Sequence, residues 1–227
     1  MNRPQPLEFA LTADVSVFGE LWLPDSPRGS VLLLHDRGSD LDSTRAFAEP
    51  LRSLELGTVL LDMPGHGLSG GDWDTHGAES IRLGLGQCSL TSTSVGVIAI
   101  GAAANLLLSL HPAPVGVAAL IAPGLSSDEL LAADLWRVVP QVWIGDPCDS
   151  ATDQTMDILS KWIHAWSMRL FVHYLDGDGS AAGEWTPHMT HSAAAFIAEQ
   201  LAYLNAGPRV GPSRPSDNPA EADKGGG

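Results

Sequence analysis

Cysteine is scarce in this chain. It has only Cys88 and Cys148, which make neither a disulfide framework nor a four-ligand zinc set. Basic residues are also few: 12 Lys and Arg stand against 27 Asp and Glu, a formal charge of −15. That imbalance excludes nucleic acid and anionic membrane surfaces as main partners, since both are polyanions. It reads instead as a charge that keeps the protein in solution. No run reaches the roughly 18 apolar residues of a spanning helix. The N-terminal MNRPQPLEFAL lacks the apolar core, about 7–15 residues long, of a secretory signal. The expectation is a soluble, cytoplasmic protein with no membrane partner. No histidine pair has the helical H-x-x-x-H spacing of a metal site, so neither metal nor other cofactor is expected.

What the chain does have is a series of short apolar runs. At 227 residues, 44% hydrophobic and 17% charged, it is long enough for one sizeable core. Leu7 to Ala13 and Val15 to Leu23 alternate apolar and polar residues, the pattern of an antiparallel pair with one wet face. Val31 to Leu34, Thr58 to Leu61, Val95 to Ile100 and Val115 to Ile121 are continuous apolar runs, the mark of strands buried on both faces. Gln141 to Ile144 and Arg169 to Leu175 complete the strand set. Between them lie helical patterns from Ser43 or Thr44 to Leu54, Glu79 to Gln87, Ser127 to about Val138, Thr155 to Trp166 and Ser192 to Leu204. The Glu79 to Gln87 stretch is weak, interrupted by Gly84 and Gly86.

Strands alternating with helices predict an α/β fold: a mostly parallel central sheet with helices on both faces. Right-handed crossovers then bring the loops after the strands to one edge, where open sheets bind ligands. Residues 1–205 are expected to form one domain. The tail 206–227 is Pro, Gly, Ser and charge, and it lacks the apolar surface needed to offset ordering.

The most informative stretch is SVGVIAIGAAANLLLSL, Ser94 to Leu110. An apolar strand turns at once into a helix through a run of tiny residues, Gly101 to Ala104, followed by Asn105. A pivot that tight admits only small side chains against its neighbours. Two other loops are distinctive, LLLHDRGSD and LLDMPGHGLSGG.

In that order the three segments resemble the α/β-hydrolase superfamily. The first is similar to its strand and oxyanion loop, the second to its D-x-x-G-H-G-x-S segment, and IAIGAAANLLL to its nucleophile elbow. The resemblance runs from about residue 7 to 205. It implies a three-layer α/β-hydrolase fold, and with no large insertion between Ile121 and Gln141 it implies no large cap domain. That layout is similar to small esterases and dienelactone hydrolases. The HD loop and small-residue elbow also resemble the N-myc downstream-regulated proteins.

The superfamily's chemistry needs a serine, a carboxylate and a histidine in that chain order. The resemblance places Ala103 at the nucleophile, and a methyl group cannot attack a carbonyl. It places the acid at Asp149, with Asp146 as the alternative. It places the base in the last loop, at His188 or His191. The oxyanion donors would be the N–H of Ala104 and that of Asp36 or Arg37. These residues outline a small-molecule pocket.

Several other residues carry a weaker signal. Gly67-Leu68-Ser69-Gly70-Gly71 matches G-x-S-x-G, but it opens no helix, so loop structure is the better reading of Ser69. Cys148 reads as a spectator thiol. His35, His66, His164 and His173 read as structural, and Trp22, Trp143 and Trp162 as packed. Trp73 and Trp185 are expected in edge loops, where they could line the pocket. The expectation is a pseudo-hydrolase that binds a small molecule or acts as a scaffold. The alternative is an esterase acting on small acyl esters through a displaced nucleophile.

Overall fold

A computed structural model describes residues 3–110, 115–122, 124, 139–145, 155, 170–174 and 187–206. Its strands are β1 (Gln5–Ala10), β2 (Ser16–Trp22), β3 (Ser30–Leu34), β4 (Gly57–Leu61), β5 (Val95–Ile100), β6 (Val117–Ile121), β7 (Gln141–Gly145) and β8 (Leu170–Tyr174). Four α-helices are described over their ranges, α1 (Arg45–Ser53), α2 (Trp73–Thr91), α3 (Ala102–Ser109) and α4 (Pro187–Asn205), and a 3-10 turn, Leu41–Thr44, leads into α1. The strands form one eight-stranded sheet in the order β1-β2-β4-β3-β5-β6-β7-β8. β1 and β2 are antiparallel, as are β2 and β4, and every other pair is parallel. The α/β architecture expected from the apolar runs is the architecture found.

Each buried strand serves two cores, because successive side chains point to opposite faces. Leu32, Leu34, Val59, Leu61, Val97 and Ala99 face α2 and α3, where they meet Ile81, Leu85 and Leu107. Val31, Leu33, Leu60, Ile98 and Ile100 face the other way, toward Phe47 and Leu51 of α1 and Ile197 and Leu201 of α4. Every residue of β3, β4, β5 and β6 is buried. Each fully buried Leu or Ile contributes roughly 1.5–3 kcal/mol relative to exposure. The sheet with helices on both sides is the three-layer arrangement. The outer strand β1, by contrast, is exposed at alternate positions.

Two helices begin earlier than their periodicity suggests. α2 starts at Trp73, six residues before Glu79. Asp72 caps it, its Oδ1 accepting the Thr75 N–H at 3.0 Å. Of its three interior glycines, Gly77 and Gly84 sit where a larger residue would crowd a neighbour, Leu106 for the first and Leu61 and Leu32 for the second, whereas Gly86 has open space around it. α4 starts at Pro187 rather than Ser192, using proline at the first helical position, where its missing N–H costs nothing. The helices expected at Ser127 to Val138 and Thr155 to Trp166 lie outside the described residues, apart from Thr155. So do most of the Ile121 to Gln141 connection and the tail from 207.

Candidate functional site

The C-terminal ends of the parallel strands bring three loops together. The first, after β3, is fixed by His35. Its Nε2 accepts the Met63 N–H at 2.8 Å, and its Nδ1 therefore carries the proton, donated to the Asp36 carbonyl at 2.7 Å. The ring is fully buried, and burial is the main reason its pKa lies below the ordinary value. The second loop, after β4, is organised by Asp62. This buried carboxylate accepts the N–H of Leu41 through Oδ1 and that of Leu68 through Oδ2, both at 2.9 Å. Gly67 lies directly against it with φ +53. His66 links the two loops, its Nε2 accepting the Gly38 N–H at 2.9 Å and its Nδ1 donating to the Pro64 carbonyl at 3.0 Å. His35 and His66 are structural in this sense: all four ring nitrogens are engaged with backbone.

The third loop is the pivot from β5 to α3. One residue there has a strained backbone: Gly101, at φ 53 and ψ −124, caps α3 without a side chain. Its N–H continues the sheet ladder by donating to the Ile121 carbonyl at 2.8 Å. Glycine is the residue that adopts such a conformation with little cost. The elbow therefore pivots at Gly101, not at Ala103. Ala103 lies inside the first turn of α3, fully buried among the residues of the sheet core. The positive-φ residue of the turn thus lies two positions before Ala103, the position the resemblance gives to the nucleophile. The N–H of Ala104 is already used within the turn, donating to the Gly101 carbonyl at 3.0 Å. The N–H directly after the pivot belongs to Ala102.

That donor is occupied. Asp36 reaches across from the first loop, and its Oδ1 accepts both the Ala102 N–H and the Arg37 N–H at 2.7 Å. Asp36 thus serves as the missing cap of α3, placing a negative charge where the helix N-terminus favours one. A Cβ on Gly101 would collide with that carboxylate. Arg37 turns its guanidinium away from the pivot, pairing with Asp74 and lying 5.4 Å over the Trp73 ring. Of the residues expected in the pocket, Asp36 and Arg37 do meet at the elbow; Ala103 and Ala104 lie buried in the helix beneath it.

Ser69 is not poised as a nucleophile. Its hydroxyl donates to the Asp62 carbonyl at 2.6 Å and accepts the Phe18 N–H at 2.8 Å. It staples the second loop to β2, which is the loop role its context indicates. Trp73 is not in an edge loop: it is the first residue of α2, buried, with its ring 6.2 Å from that of His35 and 5.2 Å from that of His66. Trp22 is half-buried, with its Nε1 donating to Glu20 and Arg52 stacked on its ring. His191 is exposed on α4, its Nδ1 donating to the Pro187 carbonyl at 2.6 Å. His188 is on the first turn of the same helix. The side chains of His188, Trp143 and His173 lie outside the described residues, as do Asp146, Cys148, Asp149, Trp162, His164 and Trp185 entirely.

Among the described residues no cluster of three His, Cys, Asp or Glu side chains could hold a metal ion. No helix among them is long and apolar enough to cross a membrane. An apolar groove of about 340 Å³ is lined by Leu54, Leu56, Leu201 and Asn205. It lies at the N-terminal ends of β3 and β5, where Asn205 contacts Ser94 and Arg28, and so is remote from the elbow.

No protein-family model and no curated protein matches the chain. Solved structures do match. An esterase of Pyrococcus furiosus superposes with a TM-score of 0.69 at 15% identity, over 88% of this chain and 91% of its own. A dienelactone hydrolase from Anabaena variabilis gives 0.64 at 17%, over 89% and 99%. The α/β hydrolase GrgF from Penicillium gives 0.68 at 11%, over 88% and 100%. With the sheet order and the strand-to-helix pivot described above, these likenesses lead to one conclusion: the chain has the α/β-hydrolase fold.

Proposed function

We propose that this protein is a pseudo-hydrolase: a binding or scaffold protein that keeps the α/β-hydrolase frame without its acyl-transfer chemistry. One observation carries the reading. The residue at the elbow pivot is Gly101, and it has no side chain with which to attack a carbonyl. Covalent catalysis needs a nucleophile fixed by strand, turn and helix within reach of a base. A further support is that the backbone N–H groups beside the pivot already bind a carboxylate, so a developing oxyanion has no free donor there. The ligand of such a protein would be a small molecule held by the loops that follow the parallel strands.

The esterase reading has the structural neighbours in its favour, since one of them is named an esterase and another a dienelactone hydrolase. It requires a nucleophile displaced from the elbow. Ser69 fits that role poorly, because its proton is committed to a backbone carbonyl and its lone pair to a backbone N–H.

The two readings part in a turnover assay with p-nitrophenyl acetate and butyrate. The pseudo-hydrolase reading expects release of p-nitrophenol no faster than in protein-free buffer. Sustained turnover that a single serine substitution abolishes would overturn it.

A further inference from the structure

We infer that Asp36 is the resident anion of the elbow, a side chain that occupies the place an external carboxylate or ester carbonyl would take. The inference rests on the non-hydrolytic reading and names what fills the vacated site. Two independent features of the geometry meet in this one carboxylate.

The first is volume. A Cβ built on Gly101 would overlap both oxygens and the carbon of the Asp36 carboxylate. The group therefore stands where an elbow side chain would begin, and residue 101 cannot carry a side chain unless Asp36 leaves. The second is donor use. The N–H of Ala102, the first residue of α3, and that of Arg37, the residue after Asp36, both donate to the same oxygen, Oδ1, at 2.7 Å. Two convergent backbone donors are the equipment of an oxyanion site. Here their acceptor is supplied by the chain itself.

The loop that carries Asp36 is held on several sides, which makes the carboxylate a fixed occupant. Its own carbonyl accepts from His35 Nδ1 at 2.7 Å and from the Ser39 N–H at 3.2 Å. Gly38 is tied to His66 Nε2, and Arg37 to Asp74 and the Trp73 face. An external carboxylate must compete with a tethered one whose effective concentration is high. Removal of the tethered group leaves a cradle of matching chemistry, open to a small carboxylate.

The test is thermal unfolding of the full chain as wild type, Gly101→Ala, Asp36→Gly and the double variant. The positive φ at residue 101 penalises alanine in both backgrounds, whereas the collision with Asp36 exists in one. The expected result is that the double variant melts higher than the sum of the two single losses, a coupling of several degrees. Strict additivity would overturn the shared-volume claim. The second measurement, which stands even if Gly101→Ala fails to fold, titrates sodium acetate against sodium chloride of equal ionic strength. Acetate is expected to raise the melting temperature of Asp36→Gly while leaving wild type and the isosteric Asp36→Asn unchanged. An equal response in all three proteins, or no response in Asp36→Gly, would overturn the donor claim. Ester turnover by the wild type would sink the pseudo-hydrolase reading without moving either of these results, so the two failures are distinguishable.

Discussion

His35 and Met63 are joined by a buried hydrogen bond, with the Met63 N–H donating to the imidazole Nε2 at 2.8 Å. The bond requires a neutral ring, and it ties the loop that carries Asp36 to the loop that carries Asp62. Burial lowers the pKa of His35 below 6.5, the nearby His66 adds to the effect, and Asp62 and Asp40 oppose it.

The sign of the pH dependence follows. Between the lowered folded value and the unfolded value the unfolded state binds the extra proton, so stability rises with pH there. It is fully present above about pH 6.5 and is lost as the pH falls toward the folded pKa. Melting temperatures at pH 7.5 and 5.5 should show a drop on acidification. His35→Gln keeps an acceptor but cannot titrate, and it should flatten that drop; an equal slope in both proteins would remove His35 as its source.

Ser69→Ala removes the acceptor of the Phe18 N–H and the donor to the Asp62 carbonyl. Leaving buried backbone groups unmatched costs about 1–3 kcal/mol. Urea unfolding should show a loss of that size. A neutral substitution would mean that the staple between β2 and the second loop carries no weight.

The pair Gly84 and Gly86 gives opposite outcomes within one helix. Gly86 is exposed with open space around it, so Gly86→Ala should stabilise α2 by about 0.5–1 kcal/mol through helix propensity. At Gly84 a Cβ would fall 2.7 Å from Leu61 Cδ1 and 2.8 Å from Leu32 Cδ1, both in the fully buried sheet core. Gly84→Ala should therefore destabilise by about 1–3 kcal/mol, the usual cost of overpacking. Equal effects at the two sites in a urea titration would contradict the close approach of α2 to β3 and β4.

Gly67→Ala should be among the more damaging single changes in the second loop. The backbone there has φ +53, and the new methyl would collide with the Asp62 carboxylate. The conformation alone costs on the order of 1–3 kcal/mol in a non-glycine residue. Denaturant midpoints of Gly67→Ala and Asp62→Asn would show whether the carboxylate's two backbone donors need it in place.

The sheet was legible in the sequence because strands buried on both faces must be apolar throughout, as Val31 to Leu34, Thr58 to Leu61 and Val95 to Ile100 are. The pivot was half legible. Four small residues in a row, Gly101 to Ala104, satisfy the steric demand equally, so motif spacing does not separate Gly101 from Ala103. Backbone conformation breaks the tie, since glycine is the one residue of the four that takes a positive φ with little cost. The helix starts at Trp73 and Pro187 each had a local signal, an Asp72 cap and a proline at the first helical position. Glycines at 77, 84 and 86 blur the apolar periodicity of α2, and the apolar pattern of α4 becomes regular only from Ser192 onward. The reach of Asp36 to Ala102, 66 residues away in the chain, had no local signal at all, because tertiary folding alone brings the two loops together.

The measurement that bears most directly on the pseudo-hydrolase reading is labelling of the wild-type protein with a fluorophosphonate probe, read by intact mass and peptide mapping. The expected result is an unchanged mass, with Ser69 unmodified and no nucleophile at Gly101 to react. A gain of one phosphonyl group on any serine would contradict that reading, and its position would identify the displaced nucleophile.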